Sequence, residues 1–156
     1  MSVQIGDKTP DFELADQTGN RVRLYDLIEK QNIVLFFYPK DDSPGCTKEA
    51  CAFRDSYEVF QEYGAEVIGI SSDSEDSHKK FSEKHKLPYT LLSDKKGKVR
   101  KLFDVPKTMG IFPGRVTYII DKQGTVQQLF NSQLNFKGHI KRSINVLKSI
   151  NNKNKY

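Results

Sequence analysis

The amino-acid sequence predicts an α/β fold in which a mixed central sheet is flanked by helices. Two short segments, residues 33–38 and 66–71, are rich in Ile, Val and Phe, as expected of strands buried on both faces of a sheet. Between and after them, apolar residues recur at three- and four-residue steps, which is the spacing of helices with one buried face. Two pairs of strand-like segments enclose glycine turns, one pair near each end of the chain.

The strands are predicted from apolar residues bounded by turn residues. Gly19 supports a hairpin near the N-terminus, Pro39 ends the most apolar strand, and Gly124 supports a second hairpin. The predicted strands are residues 12–15, 22–24, 33–38, 66–71, 89–92, 116–121 and 125–130.

The helices are predicted from apolar stripes and from residues that begin or end helices. Ala50, Phe53 and Phe60 belong to a stripe that predicts one long helix, which Gly64 terminates. Ser74 is a suitable N-cap for the next helix. The predicted helices are a short turn at 26–30 and longer segments at 43–63, 74–86, 98–103 and around 140–150.

The order of these elements is β-β, then β-α-β-α, then β-β-α. This order predicts a thioredoxin-like fold with an N-terminal β-hairpin. The length fits a single domain, which we assign to residues 1–150, followed by a basic polar tail at 151–156.

The composition, 37% hydrophobic and 29% charged, is that of a soluble globular protein. No apolar stretch approaches the ~20 residues that a transmembrane helix needs. The first residues match neither a secretory signal nor an Arg-rich transit segment. Because two cysteines are too few for a secreted disulfide scaffold, we expect a reducing compartment. The expected compartment is the cytoplasm, or the plastid stroma if the chain is a mature or plastid-encoded organellar form.

Positive charge is concentrated near the C-terminus. Residues 137–156 contain six Lys or Arg residues and no acid, although the net charge of the whole chain is only +5. A solvated helix face explains this most simply, and a docking patch for an acidic protein or an anionic surface is the alternative. No nucleic-acid motif accompanies the charge, so nucleic-acid binding is not predicted.

The two cysteines, Cys46 and Cys51, follow the most apolar strand and a short polar loop. Ser43 suits the N-cap of a helix and Pro44 its first position, so Cys46 falls at the third position. A helix N-terminus presents unpaired N–H groups and the positive end of the helix dipole, which favour a thiolate. The sequence therefore predicts a redox enzyme built around Cys46.

The spacing of the cysteines has a mechanical consequence. Residues five apart in an intact helix have Cα atoms ~8–9 Å apart, whereas a disulfide needs Cα atoms within ~7 Å of each other. If Cys46 and Cys51 form a disulfide, the first turns of the helix must unwind, and the redox state would switch the local fold.

Other interpretations of the cysteines stay open at this point. Inert buried thiols are one, and a static disulfide is another. No metal site is predicted, because the chain's histidines, His78, His85 and His139, show no ligand spacing with the cysteines. We expect His78 and His85 to be solvated. A Cys–His hydrolase would leave the second cysteine unexplained.

Positive side chains are expected around Cys46, since they favour the thiolate. Lys40 and Lys48 are close to it in sequence, and Arg54 follows two helical turns later on the same face.

Residues 37–51, Phe-Tyr-Pro-Lys-Asp-Asp-Ser-Pro-Gly-Cys-Thr-Lys-Glu-Ala-Cys, resemble the active-site segment of peroxiredoxins. The segment is most similar to that of the peroxiredoxin Q group, also called bacterioferritin comigratory proteins. Similarity at residues 6–12, 69–71, 114–121 and 130–133 extends the resemblance over roughly residues 3–150.

The resemblance implies a thioredoxin-like fold and thiol peroxidase activity with no metal, flavin, haem or other cofactor. It implies that Cys46 is the peroxidatic cysteine and that Cys51 is the resolving cysteine. The active-site proline, hydroxyl and arginine of the family fall on Pro39, Ser43 and Arg115. The family usually has threonine at the position of Ser43, so this chain keeps the hydroxyl with a less constrained rotamer.

We therefore expect an antioxidant enzyme that takes hydroperoxide substrates, forms an intramolecular disulfide, receives electrons from a thioredoxin-like dithiol donor and works as a monomer. A general disulfide oxidoreductase is the main alternative, although its cysteines are usually separated by two residues. A redox-sensing binding module, in which helix unwinding alters a partner surface, is the second alternative.

Overall fold

The computed structural model describes residues 2–107 and 114–153, and it contains one seven-stranded sheet. The described strands are β1 (Glu13–Asp16), β2 (Arg21–Arg23), β3 (Asn32–Phe37), β4 (Ala65–Ser71), β5 (Thr90–Ser93), β6 (Val116–Ile120) and β7 (Val126–Asn131). The described helices are α1 (Leu24–Ile28), α2 (Pro44–Asp55), α3 (Tyr57–Glu62), α4 (Glu75–His85), α5 (Lys98–Phe103) and α6 (Phe136–Lys153).

The sheet is mixed, as predicted. Its strand order is β2-β1-β5-β4-β3-β6-β7, so β3 and β4 lie near the centre. The pairs β3–β4 and β4–β5 are parallel, whereas both hairpins and the β3–β6 pair are antiparallel. This arrangement confirms the α/β, thioredoxin-like fold with an N-terminal hairpin.

Side chains of β3 alternate between two cores because successive residues of a strand point to opposite faces. Ile33 and Phe37 pack in the core that contains residues of α1 and α5. Val34 and Phe36 pack in the other core, with residues of α2, α3, α4 and α6. Full burial of each such side chain contributes about 1.5–3 kcal/mol, so this strand needs an apolar residue at nearly every position.

The expected single helix over residues 43–63 is wrong. Ser56 interrupts it with φ −104° and ψ 7°, which separates α2 from α3. Phe53 and Phe60 remain on the same core, with ring centroids 5.7 Å apart. The apolar stripe therefore continues across the break, and its period alone could not reveal it. Gly64, at φ 69°, ends the second helix as predicted.

Other element ends follow the predicted residue preferences. Ser74 caps α4, and its Oγ accepts a hydrogen bond from the backbone N–H of Ser77 over 3.2 Å. The last helix reaches Lys153, three residues beyond the expected domain boundary, and residues 154–156 lie outside the described residues. Among the helices described, none has the length and apolarity to cross a membrane.

Candidate active site

Cys46 lies at the third position of α2, as the sequence predicts. Ser43 is the N-cap with extended backbone angles, φ −74° and ψ 150°, and Pro44 opens the helix. The first helical hydrogen bond runs from Thr47 N–H to the Ser43 carbonyl, 2.8 Å. By helix geometry, the N–H groups of Gly45 and Cys46 therefore have no acceptor within the helix. Cys46 is only 1% exposed, whereas Ser43 and Gly45 beside it are partly exposed, so the sulfur lies just beneath the surface.

The sheet brings Arg115 to this helix start. Arg115 directly precedes β6, whose first residue, Val116, pairs with Phe37 at the end of β3. The chain leaves β3 at that point and enters the loop that leads to α2 and Cys46. Two segments that are distant in sequence therefore meet at one end of the central strand.

The Arg115 guanidinium is buried and held on several sides. Its Nη2 donates a hydrogen bond to Cys46 Sγ over 3.3 Å, and its Nη1 donates to Glu49 Oε1 over 2.9 Å. Its Nε donates to the carbonyl of Gln133 over 3.2 Å. The guanidinium also stacks 5.0 Å from the ring centroid of Phe136. A fixed positive charge beside the sulfur favours the thiolate form that nucleophilic chemistry needs.

Glu49 is a functional candidate that the sequence prediction missed. It is fully buried one turn after Cys46, and its Oε2 has no hydrogen-bond partner among the described residues. Burial raises the pKa of Glu49 to about 7, although the nearby Arg115 charge opposes that shift. A glutamate three residues after Cys46, within the apolar stripe of α2, was the available signal.

His139 closes the far side of the Glu49 carboxylate. Its Nδ1 lies 3.6 Å from Glu49 Oε2 and accepts a hydrogen bond from Thr117 Oγ1 over 2.7 Å, while its Nε2 donates to the carbonyl of Ser132. Burial lowers the pKa of His139 to about 4, and the Arg115 charge acts in the same direction. The ring is therefore neutral near pH 7 and adds no second charge.

Gly45 has no side chain, and this leaves space for the Arg115 guanidinium. A Cβ atom added to Gly45 would lie 3.2 Å from Arg115 Nη2 and 3.2 Å from Cζ of Phe136. These distances are tighter than ordinary contacts between carbon atoms and their neighbours. The absence of a side chain is therefore a steric condition for the contact between Arg115 and Cys46.

Pro39 and Ser43 belong to the loop between β3 and α2, and both are partly exposed. Ser43 Oγ donates a hydrogen bond to the carbonyl of Lys40 over 2.8 Å. The structure therefore places this hydroxyl next to the helix start with its proton already engaged and its oxygen lone pairs free to accept.

Asp41 anchors the same loop to α4. Its Oδ2 lies 2.7 Å from His78 Nδ1, and its Oδ1 accepts from the Tyr38 hydroxyl over 2.6 Å. The other ring nitrogen of His78, Nε2, lies 3.0 Å from the carbonyl of Leu92. Both ring nitrogens of His78 therefore face oxygen atoms, and the ring joins Asp41 of the loop to the β5 backbone.

The expectation that His78 is solvated is wrong, since the residue is fully buried. Its local sequence is polar, but the fold turns this position of α4 toward the loop after β3. Asp41, Asp73 and His78 have potential ligand atoms within 4.8 Å of one another. The polar atoms of this group are largely engaged with one another and with neighbouring backbone, so we interpret the cluster as a hydrogen-bonded anchor.

The expectation that Arg54 shares the helix face of Cys46, two turns later, is also wrong. The Arg54 guanidinium instead donates to Asp55 Oδ1 and to the carbonyl of His85. Eight residues along α2 turn the side chain away from the buried face, and the cysteine near it is Cys51. Lys40 and Lys48 are exposed.

Arg100 is a second cation close to the site, in addition to Arg115, and the sequence prediction missed it. It donates to the carbonyl groups of Tyr38 over 3.1 Å and Gly114 over 3.0 Å. It thereby ties the end of β3 to the segment that carries Arg115. Burial lowers the pKa of Arg100, and the charge of Cys46 is among the influences that oppose this.

Cys51 is a free, partly buried thiol in the middle of α2, and Cys46 is free as well. The intact helix separates their Cα atoms by ~8–9 Å, which is too far for a disulfide. The structure is therefore that of the dithiol form, in which α2 is wound from Pro44.

Comparison with known proteins identifies the family to which this chain belongs. The chain matches the AhpC/TSA family over residues 5–129. It is 51% identical over 149 residues to chloroplastic peroxiredoxin Q of Sedum lineare, covering 95% of this chain and 80% of that protein. The corresponding values for chloroplastic peroxiredoxin Q of Arabidopsis thaliana are 53% over 148 residues, 94% and 68%.

A solved structure of a similar protein has the same fold. The crystal structure of peroxidoxin BcpB from Mycobacterium tuberculosis superposes with a TM-score of 0.88 at 40% identity, covering 95% of this chain and 98% of that chain. Together these relatives support a peroxidase function in antioxidant defence. By both sequence and fold, the chain belongs to the AhpC/TSA family and, within it, to the peroxiredoxins of the Q group.

Proposed function

We propose that the protein is a thiol peroxidase that reduces hydrogen peroxide and organic hydroperoxides through Cys46 and is recycled by thioredoxin or a similar dithiol donor. The observation that carries this proposal is the position of the Cys46 sulfur at a helix N-terminus, 3.3 Å from a buried guanidinium nitrogen. This arrangement favours a thiolate and provides charge for the oxygen that leaves.

In the first step, the Cys46 thiolate attacks the terminal oxygen of the hydroperoxide. A sulfur–oxygen bond forms, the oxygen–oxygen bond breaks, and Cys46 becomes a sulfenic acid. The other oxygen leaves as hydroxide or alkoxide and takes a proton from water. Arg115 and the free N–H groups of Gly45 and Cys46 stabilise negative charge as it moves from sulfur to oxygen.

Ser43 and Pro39 shape the space around this reaction. Because the Ser43 hydroxyl donates its proton to the Lys40 carbonyl, its oxygen can accept the O–H of an incoming hydroperoxide. Pro39 removes a backbone donor at the mouth of the site and limits access of water to the sulfenic acid. Ser43, Pro39 and Arg115 would then act as binding residues for the peroxide.

In the second step, Cys51 resolves the sulfenic acid. The Cys51 thiol attacks Cys46 Sγ, a disulfide forms, and water leaves. The first turns of α2 must unwind for the two sulfur atoms to meet. A dithiol donor then reduces the disulfide, which completes one turnover. Both cysteines belong to one chain, so the cycle needs only a monomer.

The names of the relatives suggest a location by analogy. The Sedum and Arabidopsis relatives are named chloroplastic, which is consistent with the plastid stroma for this chain. The cytoplasm remains the alternative that the chain's composition allows.

The test is peroxide-dependent NADPH consumption in the presence of thioredoxin and thioredoxin reductase. Wild type should sustain consumption, Cys46→Ser should be inactive, and Cys51→Ser should consume one equivalent of peroxide without thioredoxin-driven cycling. Peroxide reduction by Cys46→Ser would overturn the assignment of the nucleophile. Reduction of insulin disulfides without peroxide turnover would instead indicate a general oxidoreductase, and a single oxidation without cycling would indicate a sensor.

A further inference from the structure

A basic groove lies between the C-terminal half of α2 and α6. Its volume is about 540 Å³, and its apolar floor includes Ala52, Ile140 and Ile144. Three exposed lysines line it, namely Lys137, Lys141 and Lys148. We call this feature the α2–α6 groove.

The charge of the groove is largely uncompensated. In the described part of the chain, none of its three lysines forms an ion pair, and α6 contains no Asp or Glu. The acid that lines the opposite wall, Asp55, is 3.0 Å from Arg54 Nε and is therefore neutralised locally. An apolar floor with a positive rim is complementary to a partner surface that carries apolar and acidic side chains.

The α2 wall of the groove begins at Ala52, the residue after Cys51. Asp55 follows Cys51 by one helical turn on α2, so the groove wall begins next to the partly exposed thiol. At the other end, Phe136 opens α6 and stacks on Arg115, which contacts Cys46. A molecule seated in the α2–α6 groove would therefore lie against the C-terminal half of α2, close in sequence to Cys51.

We propose that the α2–α6 groove is the docking surface for the acidic face of the dithiol protein that reduces the oxidised enzyme. This inference rests on the proposed function. In the docked complex, a thiolate of the donor attacks Cys51 Sγ, the bond between Cys51 and Cys46 breaks, and Cys46 leaves as a thiolate beside Arg115. The second thiol of the donor then attacks its own sulfur in the mixed disulfide. The donor ends as a disulfide and the enzyme as a dithiol.

Charge and access favour such a partner over other occupants. A second copy of this chain would bring the same positive surface against the groove, which repels it. Attack at Cys51 is favoured because Cys46, which returns to its position beside Arg115, is the better leaving thiolate. Cys51 directly precedes Ala52 of the groove wall, so a donor that attacks Cys51 can contact the groove at the same time.

The test uses the full chain with thioredoxin, thioredoxin reductase and NADPH, and compares two charge-reversed double variants. Lys141→Glu/Lys148→Glu changes the groove. Lys30→Glu/Lys122→Glu reverses the same number of exposed charges at the opposite end of the sheet, before β3 and after β6. Reduction by dithiothreitol, which needs no docking surface, monitors the disulfide itself.

We expect the groove variant to raise the KM for thioredoxin by about tenfold with little change in kcat, because electrostatic steering acts on association. The KM of wild type should rise with salt, and that dependence should weaken in the groove variant. The Lys30/Lys122 variant should resemble wild type, and dithiothreitol should reduce all three proteins alike. An unchanged KM in the groove variant would overturn the docking surface.

Two further results also count against the docking surface but not against the proposed function. The first is slower reduction of the groove variant by both thioredoxin and dithiothreitol, which would mean that the lysines affect the disulfide. The second is sustained peroxide reduction with dithiothreitol while wild type fails to turn over with thioredoxin. Loss of peroxide reduction with every reductant in wild type would instead overturn the proposed function.

Discussion

One guanidinium group joins Cys46 to Glu49, because Arg115 uses Nη2 for the sulfur at 3.3 Å and Nη1 for the carboxylate at 2.9 Å. The planar fork of arginine allows both contacts at once, whereas the ammonium of lysine is a single point charge. The geometry therefore depends on the shape of this side chain as well as on its charge.

Replacing Arg115 with lysine should slow the reaction of Cys46 with hydrogen peroxide. We expect a loss of about 10²-fold, the usual effect of removing one charge-stabilising donor. Rapid-quench measurement of the free Cys46 thiol in the Cys51→Ser background gives this rate directly. Arg142→Lys is the matched control, since that guanidinium is exposed and only stacks 5.1 Å from the Phe130 ring. Equal rates in Arg115→Lys and wild type would remove Arg115 from the proposed mechanism.

Gly45→Ala should weaken the same contact by crowding. The added methyl would lie 3.2 Å from both Arg115 Nη2 and the Phe136 ring, so one of them must move. We expect peroxide reactivity to fall by about tenfold while the free energy of unfolding changes by less than about 1 kcal/mol, because alanine favours the helix. Gly138→Ala, on α6, is not a suitable control because its Cβ would clash with the Asn135 side chain. Ala52→Gly, elsewhere on α2, monitors the effect of helix propensity alone.

Glu49 should make the protein less stable as the pH rises. The folded pKa is about 7, above the ordinary value of 4.5, so the folded protein keeps a proton that the unfolded chain releases. The contribution of Glu49 to the free energy of unfolding is complete below pH 4.5 and is lost as the pH rises through 7. Glu49→Gln should therefore reduce the loss of unfolding free energy between pH 5 and 8 by roughly 2–3 kcal/mol.

Urea titrations at these two pH values measure the Glu49 effect. The pKa of folded His139 is lowered to about 4, and His139 in the unfolded chain titrates alike in wild type and Glu49→Gln, so its effect cancels in the comparison. Glu58→Gln, at an exposed position of α3, is the control and should follow wild type. If Glu49→Gln loses as much stability as wild type between pH 5 and 8, the carboxyl does not titrate near neutrality.

Breaking the buried pair between Asp41 and His78 should destabilise the protein. Removing the imidazole takes a hydrogen-bond partner from Asp41 and another from the Leu92 carbonyl in a buried site, which typically costs about 1–3 kcal/mol. Urea unfolding of His78→Gln tests this, with His85→Gln as the control because its partner, Asp42, is half exposed. Similar small losses in both variants would show that the buried contacts of His78 stabilise the protein no more than the exposed contact of His85 does.

Local sequence patterns predicted the parts of this structure that depend on local physical chemistry. Apolar runs identified the central strands because nearly every residue of β3 is buried. The preferences of Ser43 and Pro44 for a helix start placed Cys46 correctly at the third helical position. The resemblance, rather than any local pattern, selected Arg115, which the structure brings to Cys46.

Contacts between distant segments were not predictable in the same way. Asp41 and His78 are 37 residues apart, and nothing in the polar sequence around His78 indicates that it is buried. In the sequence alone Glu49 looks like an ordinary helix residue, because its partner Arg115 lies 66 residues later, directly before β6. The break at Ser56 is hidden because Phe53 and Phe60 pack in one core on either side of it.

Oxidation to the Cys46–Cys51 disulfide should unwind the start of α2. The helix runs from Pro44 to Asp55, and both cysteines lie within it, so a disulfide requires the loss of roughly two helical turns. Far-ultraviolet circular dichroism should show a matching loss of helical signal when wild type receives one equivalent of hydrogen peroxide, and dithiothreitol should restore it. Cys51→Ser should keep its helical signal, since its sulfenic acid needs no rearrangement. An unchanged spectrum in wild type whose disulfide is verified by mass spectrometry would show that the sulfur atoms meet by another movement.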